Sequence, residues 1–237
     1  MRYQLAPLYC RPWTLNGISA RLIESHYENN YGAALNRLNA ISEEIERLDL
    51  GNAPNPSLAR LKRDEIVALN STLLHELYFA SLGGDGRVVP DALASAIAKD
   101  FGSVDRWRQE FVGIAAGLAG GSGWVLLTYV PRDGRLINQI SSEHNQSIAG
   151  GVPILALDMY EHAYHLEFGA NAGIRRERRR LHRCLHAQHR LVRRKAALRR
   201  CRQGRATAAP RAKGVCRRAV DLRRGSPRDD EVGDAGS

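Results

Sequence analysis

The sequence predicts an α+β fold: an N-terminal antiparallel helical hairpin followed by a mixed domain with a three-stranded antiparallel sheet and helices. Three observations carry this. Two long stretches before residue 82 repeat apolar residues at helical spacing, separated by the turn-rich GNAPNPS at 51–57. After residue 123 the period changes to that of strands, with Pro131-Arg-Asp-Gly134 as a hairpin turn between two of them. All 15 Phe, Trp and Tyr residues fall at or before Phe168, and the chain beyond is rich in arginine.

Residues 1–16 read as an extended arm broken by Pro7 and Pro12. Ser19 caps a helix predicted to run to about Leu48, with its apolar stripe on Ile23, Tyr27, Tyr31, Ala34, Leu38, Ile41 and Ile45. His26 sits beside that stripe. The second helix is predicted from about Ser57 to Ser81, carrying Leu58, Leu61, Ile66, Leu69, Leu73, Leu77 and Tyr78 on its apolar face and His75 beside Tyr78 and Phe79. The short connection makes the pair an antiparallel hairpin, in which His26 and His75 face each other. Pro90 starts a third helix and Ser103 a fourth. Strands follow over Trp124–Val130, Leu136–Ser142 and Val152–Leu157, read as a meander, and then a helix from about Glu161.

The net charge of +10 conceals two different regions. Residues 175–237 hold 21 Lys and Arg against 6 Asp and Glu; residues 1–174 hold 14 against 19. The expected division is a helical-hairpin domain at 1–86, an α+β domain at 87–173 and an Arg-rich tail at 174–237. The tail has little to bury and repels itself, so it reads as disordered. It fits three accounts: the product of a shifted reading frame, a basic extension for nucleic acid or an acidic partner, or a solvated tail. Cys10, Cys184, Cys201 and Cys216 show no CxxC spacing, which excludes a zinc ribbon or disulfide framework. No stretch approaches the roughly 20 apolar residues of a membrane span, and no signal segment opens the chain. The expected compartment is the cytoplasm.

The chemistry concentrates in Asp158-Met-Tyr-Glu-His162. An apolar strand delivers a carboxylate, and an imidazole follows four residues later, a spacing at which both can meet one ion. His26 and His75 arrive from the hairpin. Three imidazoles and a carboxylate suit iron, manganese or zinc. Zinc catalysis generally uses three protein ligands and a water, whereas four with one open position suit a redox metal. Spacing alone leaves that choice open.

Five blocks occur in order: LNGISARLIESHYE, NSTLLHELYFASLGG, FGSVDRWRQEF, GGSGWVLL and DMYEHAYH. Together they resemble the iron/manganese superoxide dismutase family over about residues 3–172. The resemblance implies one Fe or Mn ion per subunit, held by His26, His75, Asp158 and His162, with superoxide as substrate and a homodimer as the assembly. In that family a Gln or His holds the metal-bound solvent from one of two places. Here the first is Ser71 and the second falls in SSEHNQS, so His144 takes the role. Trp124 walls the site. The family's gateway tyrosine falls at Ala34, leaving Tyr31 as the candidate for that gap. Glu161 would reach His162 of the partner subunit, and Asn30 and His165 stand where the family pairs His with Tyr across the dimer. The resemblance also leaves an alternative: a catalytically weak or inactive dismutase-like metal-binding protein with a basic interaction tail.

Overall fold

The computed structural model describes residues 2–15, 17–52, 55–83, 89–118 and 121–169. The Arg-rich tail and the accounts of it lie outside the described residues.

The first helix is built in three pieces. α1 (Ala20–Ser25) opens with the Ser19 hydroxyl accepting from the Leu22 N–H, as its N-cap position predicts. A single π-helical turn, His26–Tyr31, follows, and α2 (Gly32–Arg47) completes the helix. The Gly32 N–H bonds to the Tyr27 carbonyl, the five-residue step of a π turn. That wide turn corrects the expected stripe. Five residues now bring the chain back to nearly the same face, so His26 and Tyr31 are both buried. The inward face is Leu22, Ile23, His26, Tyr31, Leu35, Leu38 and Ile41, while Tyr27, Ala34 and Ile45 are half-buried at its margin.

α3 (Asn55–Ser81) returns along α2. The pairs Tyr31 with Glu76, Arg37 with Asp64 and Glu44 with Arg60 run in opposite sequence directions, which makes the hairpin antiparallel. The buried face of α3 is more polar than its sequence suggests. Ser71, Thr72 and His75 are inside, while Ile66 and Leu73 are 51% and 49% exposed. The reason is that α3 packs on the sheet as well as on α2, and the side facing the sheet edge is the one bearing His75.

α4 (Asp91–Phe101) and α5 (Val104–Leu118) lead to the sheet, β1 (Trp124–Val130), β2 (Arg135–Ser141) and β3 (Val152–Asp158). The strand order is β2-β1-β3, all antiparallel, so the expected meander is corrected. β1 pairs along both of its edges; Trp124 to Thr128 of β1 and Ile154 to Asp158 of β3 are buried without a break, whereas β2 exposes Arg135 and Ile140. Its two-residue alternation feeds two cores. Trp124 and Leu126 pack into the hairpin with Leu22, Tyr31 and Tyr78; Val125 and Leu127 pack against Ile97, Trp107 and Phe111 of α4 and α5. After β3 the single expected helix is a 3-10 turn, Glu161–Ala163, followed by the short α6 (His165–Phe168).

Candidate metal centre

The sheet register sets the site. Trp124 lies opposite Ser141 on one side and Asp158 on the other, so the start of β1 brings the last residue of β3 beside the exit of β2. Gly123 makes this approach possible: a Cβ there would meet the Ser141 carbonyl oxygen at 2.7 Å, and its φ is 145°. The Gly123 carbonyl also accepts from the Met159 N–H at 2.9 Å, fastening the chain just past Asp158.

The hairpin supplies the opposite wall. His26 and His75 meet edge to face at 5.1 Å between ring centroids, as their placement on facing helices predicts. His162 joins them at 4.6 Å from His26. One ligand atom from each of His26, His75, Asp158 and His162 lies within 4.8 Å of all the others. The three Nε2 atoms converge on a single oxygen, Asp158 Oδ2, at 3.1 Å from His26, 3.6 Å from His75 and 3.2 Å from His162.

Local bonds aim these atoms. Asp158 Oδ1 is occupied by the Tyr160 N–H at 2.8 Å, which leaves Oδ2 for the cluster. His75 Nδ1 donates to the Ser71 carbonyl one helical turn back at 2.7 Å. Its proton is therefore on Nδ1, and Nε2 carries the lone pair. Both ring nitrogens of His26, and Nε2 of His75, are buried without a well-aligned hydrogen bond, His26 Nε2 in spite of its 3.1 Å approach to Asp158 Oδ2; a well-packed core avoids this unless something else satisfies them.

Burial pushes the His26 and His75 imidazoles below their ordinary range, His75 to about 4. Burial alone would raise the Asp158 carboxyl, but the neighbouring His162 and His26 more than offset it and hold the group below the usual carboxylate range. Near neutral pH these two rings are uncharged donors beside an ionised carboxylate, the protonation state a metal requires. Borderline nitrogen donors with one hard oxygen, inward-facing and unsatisfied, fit a first-row transition ion.

This chain is 57% identical over 172 residues to an iron superoxide dismutase of Cupriavidus metallidurans, an alignment that covers 73% of this chain and 87% of the relative. The chain belongs to the iron/manganese superoxide dismutase family. The model of the family's C-terminal domain, described as iron/manganese superoxide dismutases, matches residues 89–173. Both metals occur among the relatives. A manganese superoxide dismutase of Haloferax volcanii is 34% identical over 180 residues, covering 73% of this chain and 86% of its own length. An iron superoxide dismutase of Pyrobaculum aerophilum is 33% identical over 180 residues, covering 73% and 83%.

Around this His/Asp cluster, the other residues fall in distinct places. Trp124 stands edge-on to His75 at 5.1 Å, and its indole N–H donates to His144 Nδ1 at 2.9 Å. Asn70 of α3 holds the His144 carbonyl at 2.8 Å. Tyr160 is sandwiched between His144 (4.9 Å, 15°) and His162 (5.6 Å, 8°), a column of three nearly parallel rings. Tyr31 lies against His75 at 6.1 Å, but its hydroxyl points away, to the Ala6 N–H and the Glu76 carboxylate. Ala34 and Asn30 are half-buried, and Glu161 and His165 are exposed. Sequence reading does not single out Glu76, because a glutamate beside a helical histidine carries no periodic signal.

Proposed function

We propose that the chain dismutates superoxide to dioxygen and hydrogen peroxide at an Fe or Mn ion held by His26, His75 and His162 through Nε2 and by Asp158 through Oδ2. The convergence of three imidazole nitrogens on one carboxylate oxygen carries this reading, within a chain 57% identical to an iron superoxide dismutase. The hairpin domain, 1–86, supplies two ligands and the α+β domain, 87–173, the other two. When bound, the metal would supply one-electron redox chemistry, by which one superoxide is oxidised to dioxygen and a second, with two protons, is reduced to hydrogen peroxide.

The protein's own groups orient, exclude water and move protons. Asp158 offsets part of the metal charge and is kept ionised by its neighbours. Trp124 walls the site on the β1 side, and Tyr31 closes it on the hairpin side. His144 is the proton carrier, since an indole can only donate and so leaves the His144 proton on Nε2. Among the four ligands His162 has the most exposed side chain, at 27%, so the anion enters past His162 and Tyr160.

The assembly proposed is a homodimer through Glu161, His165 and Asn30, working in the cytoplasm. Among the described residues no helix is long and apolar enough to cross a membrane. Any nucleic-acid contact is assigned to the basic tail, 175–237, where binding to phosphates would weaken steeply with salt.

Metal analysis and a dismutation assay on the purified full chain test the proposal. The expected result is bound Fe or Mn with turnover, and loss of both on His75→Ala or Asp158→Ala. Metal retained without turnover would favour the dismutase-like binding protein, an alternative that the 57% identity does not favour.

A further inference from the structure

The N-terminal arm, residues 2–15, contributes no candidate ligand, yet side chains of the first helix grip its backbone at Tyr3 and at Ala6. Asn39 takes both polar groups of Tyr3: its Oδ1 accepts from the Tyr3 N–H at 2.8 Å and its Nδ2 donates to the Tyr3 carbonyl at 3.0 Å. Two tyrosines take both polar groups of Ala6. The Ala6 N–H donates to the Tyr31 hydroxyl at 2.8 Å, and the Tyr27 hydroxyl donates to the Ala6 carbonyl at 2.7 Å.

The second grip reaches the metal centre. A phenol has one proton to give. With its oxygen accepting from Ala6, Tyr31 directs that proton to Glu76 Oε1 at 3.1 Å. Glu76 follows His75 on α3, and the Tyr31 ring lies 24° from the plane of His75. The ring is fully buried and sits at the end of the π turn that also carries His26. The Ser71 carbonyl holds His75 at Nδ1 and Trp124 meets its edge, while on the hairpin side His26 lies edge-on at 5.1 Å and Phe79 stacks at 6.4 Å. Tyr31 adds a stacked ring at 6.1 Å, tied by hydrogen bonds to both the arm and Glu76.

We propose that the arm, through the Ala6 N–H, and Glu76 are positioning elements for the metal centre: together they lock the Tyr31 ring against His75 and so set the direction of its Nε2. This rests on the reading that His75 holds the metal. Of the three imidazoles His75 lies farthest from Asp158 Oδ2, at 3.6 Å, so a small tilt changes its share in the donor set most.

The test uses the iron-loaded full chain and reads iron content, the ferric electron paramagnetic resonance spectrum and thermal melting. Tyr31→Phe and Glu76→Leu are expected to keep their iron and shift the spectrum in the same sense, and the double variant is expected to shift it no further. Glu76→Gln, which keeps an acceptor oxygen, is expected to restore the parent spectrum. Ala6→Pro removes one N–H and is expected to shift it like Tyr31→Phe; if that variant does not fold, the other three carry the test. Unchanged spectra with lowered melting temperature would overturn the proposal and leave a purely structural clamp. Additive shifts in the double variant would also overturn it. Iron retained with the parent spectrum in His75→Ala would instead remove the reading beneath it.

Discussion

Trp124 donates its indole N–H to Nδ1 of His144 at 2.9 Å, across the gap between the start of β1 and the loop after β2. The bond fixes which imidazole nitrogen carries the proton. Replacing His144 with Ala is expected to lower kcat by about 10²-fold or more, the usual scale for a positioned proton donor. Trp124→Phe keeps the apolar wall but frees the tautomer, and its expected loss is smaller, about tenfold. Stopped-flow measurement of superoxide decay compares the two. A Trp124→Phe enzyme with unchanged kcat would show that the tautomer is set elsewhere.

The metal-free chain should be acid-sensitive in a defined window. His75 has an ordinary value of 6.5 and is pushed to about 4 in the fold; His26 is lowered as well. Between those values the unfolded chain binds protons that the fold refuses, so stability falls as pH falls from about 6.5 to about 4. Above 6.5 the contribution is complete. Asp158, held low, extends the loss below its ordinary 3.8. Thermal melting of the metal-free chain across this range measures the slope, and His75→Gln is expected to flatten it.

Gly123→Ala places a Cβ 2.7 Å from the Ser141 carbonyl oxygen and 3.1 Å from Ser142 Cα, both backbone atoms. With φ at 145° as well, the substitution is expected to destabilise by about 1–3 kcal/mol. It should also lower activity, because the strand ends it forces apart carry Trp124 and lead to His144. Urea denaturation with an assay at matched folded fraction separates the two effects.

A double-mutant cycle on Asn30→Ala and His165→Ala tests the proposed dimer contact. Coupling in dimer dissociation of about 0.5–3 kcal/mol is expected for residues that touch. Sedimentation measures it, and a coupling near zero would remove the pair from the interface.

Much of the candidate site is legible in the sequence because residue type and spacing are local properties. Asp158 ends an apolar strand, His162 follows it by four, and His26 and His75 occupy the inward sides of two amphipathic helices. The helical hairpin, the Ser19 cap and the Asp-Gly turn are likewise written in spacing and residue type. Tyr31 shows where that reading stops. Helical spacing puts it on an inward stripe, but the direction of its hydroxyl depends on Ala6, 25 residues earlier, and on Glu76, 45 residues later.

The sequence by itself determined the α+β class, the order of elements, the family and the residues able to ligate a metal. Tertiary structure decided three things that local pattern leaves equal. It put β1 between β2 and β3, through backbone pairing along both of its edges. It widened one helical turn at His26–Tyr31, because packing against α3 and the sheet needs both residues inside. And it turned Nε2 of three histidines toward one oxygen of Asp158, which depends on bonds to Ser71, Tyr160 and the strand register. Spacing along a chain fixes which residues share a face; only packing between elements compares the long-range contacts that choose where each face points.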